Sequence, residues 1–204
     1  MRSSLVPAAG PISNTLPGTT SRSSLDAALI ARIAKGDRNA MLVLFTGHQA
    51  RVFRFILRMT GDKTIAEDLT SEVFLDVWRQ AEGFESKSQV STWLLAIARY
   101  KALSALRRRT DEPLDDQMAA TIEDTADNPE TVAHNKDRSI IVQKCLRQLS
   151  PAHREVIDLV YYHEKSVDEV AQIVGVPPAT VKTRMFYARN KMADLLKQSG
   201  VNAL

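Results

Sequence analysis

The sequence predicts an all-α protein, built as two small helical domains joined by an acidic flexible linker, and three observations carry that reading. Apolar residues recur at helical spacing along most of the chain, and no strand-like alternation of useful length appears. Helix-start pairs (Thr64 with Glu67, Ser166 with Glu169) and helix-ending glycines (Gly36, Gly61, Gly175) fall between the periodic stretches. The charge also reverses along the chain. Residues 99–110 hold five cations and no acid, residues 111–137 hold nine acids and only Lys136, and from 176 onward five cations face Asp194 alone.

Each element follows from local chemistry. Residues 1–24 are rich in Ser, Thr, Pro and Gly without apolar periodicity and read as a disordered N-terminal extension. A short helix is expected from Ser24 to Lys35, stopped by Gly36. A longer one follows from Arg38 to Met59, with Leu42, Phe45, Val52, Ile56 and Met59 among its apolar positions. The Thr64–Glu67 capping box then opens a helix with Ile65, Leu69, Val73 and Val77 at i+4 steps. After the polar loop 85–89, a helix runs from about Ser91 to Arg109 with Trp93, Ile97 and Tyr100 on one side. The first domain is therefore 25–110 and the linker 111–137. The second domain is 138–198 and the tail 199–204.

The second domain carries the most specific pattern, from Ser166 to Lys191. Ser166 and Glu169 cap a short helix, Gly175 ends it with positive φ, and Pro178 suits the first turn of the next. In that next helix Val181, Met185, Ala188, Met192 and Leu195 form an apolar stripe. Thr180, Thr183, Arg184 and Tyr187 share another face, flanked by Lys182 and Arg189. A helix packed on one side and bearing Thr, Lys and Arg on the other fits a major groove, so the unit reads as a DNA-binding helix-turn-helix. In the first domain, aromatic residues beside Arg107-Arg108-Arg109 suit a single strand. Read without other context, Trp78 and Trp93 fit the core better than a base stack.

Composition narrows the alternatives. The 204 residues are 44% hydrophobic and 25% charged, ordinary for a soluble globular chain, with a net charge of +3. No apolar run approaches the ~20 residues of a membrane span, so no membrane insertion is expected. Cys145 is the single cysteine, and His48, His134, His153 and His163 are scattered, so neither a metal nor another cofactor is expected. With no nucleophile–base set or Gly-rich phosphate loop, an enzyme is the weakest reading, and a reducing cytoplasmic location fits best.

Two stretches together resemble a known family. The run from Ala66 to Trp78, A-E-D-L-T-S-E-V-F-L-D-V-W, looks like region 2 of bacterial sigma factors, as does S-T-W-L-L-A-I-A-R from Ser91 with the arginines that follow. Leu149 to Val156, L-S-P-A-H-R-E-V, and the helix-turn-helix look like region 4. With only these two regions and a short linker, the chain is similar to the extracytoplasmic-function (ECF) group of the sigma-70 family.

The resemblance implies a stress-responsive transcription initiation factor whose partners are core RNA polymerase, promoter DNA and an anti-sigma factor. It implies that Asp68, Leu69, Ser71, Glu72, Phe74, Asp76 and Arg79 meet core polymerase. Lys87, Ser88 and Gln89 would touch a flipped −10 base, with Trp93, Arg99, Lys101, Arg107 and Arg108 beside the same strand. Thr180, Lys182, Thr183, Arg184, Tyr187 and Arg189 would face the −35 duplex. Tyr100, Ser104, Tyr187 and the pair Pro178-Ala179 depart from the family's common residues, which leaves the promoter sequence open. The acidic linker has two readings, a tether or a strand threading past the polymerase active-site channel, and its composition favours the tether. The rival functions are a two-domain regulator that binds operators without core polymerase and a protein-binding adaptor.

Overall fold

A computed structural model describes residues 17–111 and 132–199, with side chains placed for 23–109 and 140–199. Residues 1–16, 112–131 and 200–204 lie outside the described residues, and with them most of the expected extension, linker and tail. The helices are α1 (Pro17–Ile33), α2 (Arg38–Thr60), α3 (Lys63–Gln80), α4 (Val90–Asp111), α5 (Val132–Arg147), α6 (Pro151–Ile157), α7 (Val167–Val174) and α8 (Pro178–Gln198). A 3₁₀ turn, Ala81–Gly83, follows α3, and a π turn, Asp158–Tyr162, prolongs α6. The described residues contain no strand.

Two boundaries move outward from the sequence reading. α1 starts at Pro17, inside the stretch expected to be disordered, and α5 starts at Val132, inside the expected linker. Pro17 fits a first helical turn, where its absent N–H would have no partner. Composition had masked both starts, because neither opens on an apolar period.

Caps explain where the N-terminal helices begin and end. Asp37 Oδ1 accepts from the Asn39 and Ala40 amides at 2.9 and 3.1 Å and starts α2. Gly61, at φ +70°, ends α2 by donating to Leu57 O at 2.8 Å. The expected Thr64–Glu67 capping box does not form. Asp62 takes that place, accepting from Ile65 N at 3.0 Å, so Thr64 already lies inside the helix. Glu67 is turned instead toward Lys63, 3.9 Å away.

Phe55 and Ile56 of α2, Val73 and Val77 of α3, and Leu94 and Leu95 of α4 form the centre of the N-terminal core, closed by Ile30 and Ile33 of α1. Each such side chain contributes roughly 1.5–3 kcal/mol on burial. The inward face of α4 runs through Leu94, Ala98 and Ala102 and not through Trp93, Ile97 and Tyr100, the side singled out in sequence. Tyr100 is 74% exposed.

The C-terminal helices follow the sequence reading closely. Ser166 Oγ accepts from Glu169 N at 3.3 Å while Glu169 Oε2 accepts from Ser166 N at 3.0 Å, a complete capping box. Gly175 adopts φ +73° and Pro178 opens α8. Val170, Ile173 and Val174 of α7 meet a core completed by Val181, Met185 and Ala188 of α8, with α5 and α6 also packed on α8. α4 lies against α7, and between the two halves a cleft of about 510 Å³ remains.

Candidate nucleic-acid interface

On α8 the stripe of buried Val181, Met185, Ala188 and Leu195 turns Lys182, Thr183, Tyr187 and Arg189 outward. Thr183 Oγ1 donates back to Ala179 O at 3.0 Å, and Arg189 stands 5.8 Å from the centre of the Tyr161 ring. Thr180 is only half-exposed. Arg184 is half-buried as well and lines the cleft between the two halves. The sequence reading passed over Phe186, which is 61% exposed and meets Tyr187 edge-on at 5.5 Å. Its signal was present in the sequence: an aromatic out of phase with the apolar stripe and four residues from Lys182.

The first domain presents its cations differently. Lys87 and Gln89 are exposed in the 84–89 loop, with Lys87 paired to Glu85, while Ser88 is half-buried. The Gln89 carbonyl accepts from Thr92 N and Trp93 N at 3.0 and 3.1 Å and so begins α4. Trp93 is half-buried against Phe84, with ring centres 4.8 Å apart. Arg107 and Arg108 are exposed. Arg99 and Lys101 are not free for a phosphate in this arrangement. Arg99 Nε donates to Glu155 Oε1 at 2.6 Å, and Lys101 Nζ reaches Glu72 and Asp76 at 3.0 and 2.9 Å. Burial opposes the charge on Lys101, but Asp76 and then Glu72 outweigh it and raise its pKa.

On α3 the polar members of the expected polymerase face, Asp68, Ser71, Glu72 and Arg79, are exposed, and Asp76 is half-buried. Leu69 and Phe74 are corrected. They are 8% and 3% exposed, and the Phe74 ring packs 4.8 Å from that of Phe45, so both belong to the core and support the face from beneath. The apolar residues that α3 does expose are Leu75 and Trp78, at 54% and 37%, the second against its expected core position.

Two polar clusters join the halves. In the first, Lys165 Nζ donates to Ser91 Oγ at 2.7 Å, Thr92 Oγ1 at 3.0 Å and Glu169 Oε1 at 2.7 Å, and Thr92 Oγ1 donates to Glu169 Oε1 at 2.6 Å. Burial pushes the Glu169 carboxyl up, but Lys165, Thr92 and the Ser166 amide overcome it and hold the pKa at about 2. Burial lowers the Lys165 ammonium from its usual range, against the pull of Glu169. In the second cluster Arg58 Nε pairs with Asp158, and His163 Nε2 lies 3.1 Å from Arg58 and 3.3 Å from Asp158. Burial depresses the His163 pKa despite the opposing pull of Asp158. Arg58 also stacks 4.6 Å over the Tyr162 ring. No group of His, Cys, Asp and Glu suited to a metal occurs among the described residues, and none of the described helices is long and apolar enough to cross a membrane.

Residues 44–112 match the family Sigma-70 region 2, and residues 139–192 match Sigma-70, region 4. ECF RNA polymerase sigma factor SigK of Mycobacterium tuberculosis is 30% identical over 183 residues, covering 87% of this chain and 96% of the relative. SigW of Bacillus subtilis is 28% identical over 177 residues, covering 82% and 95%. The fold is similar to that of CnrH in complex with the cytosolic domain of CnrY, with a TM-score of 0.65, 22% identity, and 85% and 98% of the two chains covered. It is also similar to the sigma factor RpoE in complex with the anti-sigma factor NepR from Bartonella quintana, with a TM-score of 0.60, 24% identity, and 75% and 94% covered. With both regions present in order and near full-length likeness to relatives of one kind, the chain belongs to the ECF group of the sigma-70 family.

Proposed function

We propose that this chain binds core RNA polymerase and directs it to promoters by holding DNA at two separated points. In this reading residues 25–110 engage polymerase and the −10 strand, residues 138–198 engage the −35 duplex, and residues 111–137 are the tether. The observation that carries it is the pair of helices α4 and α8, each in its matched region and each bearing cations on a face turned from its own core. On α3 the exposed Asp68, Ser71, Glu72 and Arg79, joined by Leu75 and Trp78, form the polymerase side. Lys87, Gln89, Arg107 and Arg108 meet the melted strand at once, and Arg99 and Lys101 only after exchanging their carboxylate partners. On α8, Lys182, Thr183, Tyr187 and Arg189 face the duplex, with Thr180 at the edge and Arg184 near the cleft.

The chain acts by binding and not as an enzyme, and works in the cytoplasm on a stress-linked set of promoters. An anti-sigma factor is its inhibitor, a reading supported by the similarity of fold to RpoE, which was solved with such a partner. An operator-binding regulator that needs no polymerase is disfavoured by relatives that are RNA polymerase sigma factors. Run-off transcription tests the proposal. Purified chain added to core polymerase and a genomic template library yields discrete promoter-specific transcripts, and neither component alone does. Specific duplex binding by the chain with no transcription on adding core polymerase sinks the proposal.

A further inference from the structure

Building on that proposed role for α4, we infer that the second domain acts as an internal stand-in for the −10 strand, with Glu155 occupying Arg99 as a phosphate would. The Arg99 guanidinium reaches the Glu155 carboxylate through two nitrogens, Nε at 2.6 Å and Nη2 at 3.4 Å. The pair is largely shielded, with side chains 23% and 10% exposed. Planar two-point pairing is the geometry by which arginine also takes a phosphate, so one guanidinium edge serves one anion at a time. The Glu155 carboxylate also repels any strand phosphate approaching the same edge.

A second grip lies at the start of α4, next to the loop expected to take the flipped base. Lys165 donates to Ser91 and Thr92, and Thr92 donates to Glu169. Lys165 and Thr92 are only 5% and 2% exposed, so these contacts fix α7 against α4 and shut water out. A third grip, Arg58 with Asp158 and His163, also joins the halves. Arg58 and Asp158 line the same cleft as Arg99, Glu155 and Arg184 of α8. The packed chain therefore sets the second domain over the Arg99 part of the single-strand face, while Lys87, Gln89, Arg107 and Arg108 stay exposed. Polymerase or DNA must separate the halves before Arg99 becomes available.

The test needs no polymerase and no promoter, so it can fail independently of the proposed function. Full-length chain is titrated into a fluorescein-labelled single-stranded 20-mer of mixed sequence at fixed salt, read by anisotropy. Glu155→Gln, which keeps the side-chain shape, should tighten binding by roughly tenfold, the scale of one hydrogen bond to a charged group. The control Glu67→Gln, with the same charge change on exposed α3, should not. The gain should vanish in the Glu155→Gln, Arg99→Gln double variant. Thr92→Val attacks the second grip from the first domain and should also tighten binding and enlarge the radius of gyration in small-angle scattering. Circular dichroism confirms that each variant is folded. Wild-type affinity in Glu155→Gln, an equal gain in Glu67→Gln, or a gain that survives loss of Arg99 overturns the inference. A wild-type radius already as large as that of Thr92→Val overturns it as well.

Discussion

α8 turns Lys182 and Arg189 to solvent, whereas α4 holds Arg99 against Glu155 and Lys101 against Glu72 and Asp76. Both helices are long and basic, and α4 leaves Arg107 and Arg108 exposed near its end. Yet its Arg99 and Lys101 stand in the opposite state from Lys182 and Arg189 of α8. The proposed targets explain the contrast. A duplex exists before the protein arrives, so the helix that reads it gains from a preformed face. A single strand exists only after melting, so cations meant for it can rest on carboxylates until it appears. The two helices thus differ in when their charges become available more than in how many they carry.

The largest expected effect breaks the scaffold under α4. Leu94 is fully buried, and Leu94→Ala should lower stability by about 2–5 kcal/mol in urea denaturation. A loss under about 1 kcal/mol would mean that α4 is not anchored as described. Next come substitutions that separate the helices by function. Lys182→Ala should change discrimination among −35 sequences by about 1–3 kcal/mol in transcription with core polymerase. Arg107→Ala should instead weaken single-strand binding evenly across sequences and reduce the salt slope by roughly 0.7. If both variants respond to sequence alike, the contrast between the helices fails.

Smaller effects probe the C-terminal half. Ser166→Ala removes the α7 cap and should destabilise by about 1 kcal/mol, measured as a shift in the urea midpoint. The smallest is a pH effect. Burial lowers the His163 pKa in the fold, so the unfolded chain binds a proton more readily. The stability due to His163 is complete above its ordinary pKa of about 6.5 and is lost as pH falls below it. Arg58, Arg51 and Asp158 face the ring, and the two arginines reinforce the loss. Comparing urea midpoints at several pH values, His163→Gln should show a shallower acid decline than wild type, and equal slopes would remove His163 as the cause.

What the sequence revealed depended on whether the signal was local. The α8 stripe and the Ser166–Glu169 box are periodic or three residues apart, and both stand in the structure as read. The Thr64–Glu67 box matched the same pattern but lost to Asp62, whose carboxylate reaches Ile65 N first. On α3 the motif residues Leu69 and Phe74 were grouped with the polar face, yet the i+4 steps through Val73 and Val77 already marked the inward side. On α4 two apolar faces were available, and nothing local distinguished Leu94-Ala98-Ala102 from Trp93-Ile97-Tyr100. Least legible were the pairs Arg99–Glu155 and Thr92–Glu169, which lie 56 and 77 residues apart. Ordinary charges on separate amphipathic helices carry no mark of the partner they will meet.

Glu169 has one consequence for building hybrids of such proteins. Its carboxylate closes the start of α7 through Ser166 and also receives the Thr92 hydroxyl of α4. A graft that moves residues 138–198 onto a foreign front half therefore keeps a well-formed reading head and the Lys165–Glu169 ion pair. It leaves that pair without the Ser91 and Thr92 hydroxyls at the new seam. Carrying Ser91 and Thr92 across with the graft would restore the match, so the natural unit of exchange is the helix-turn-helix together with the two hydroxyls it rests on.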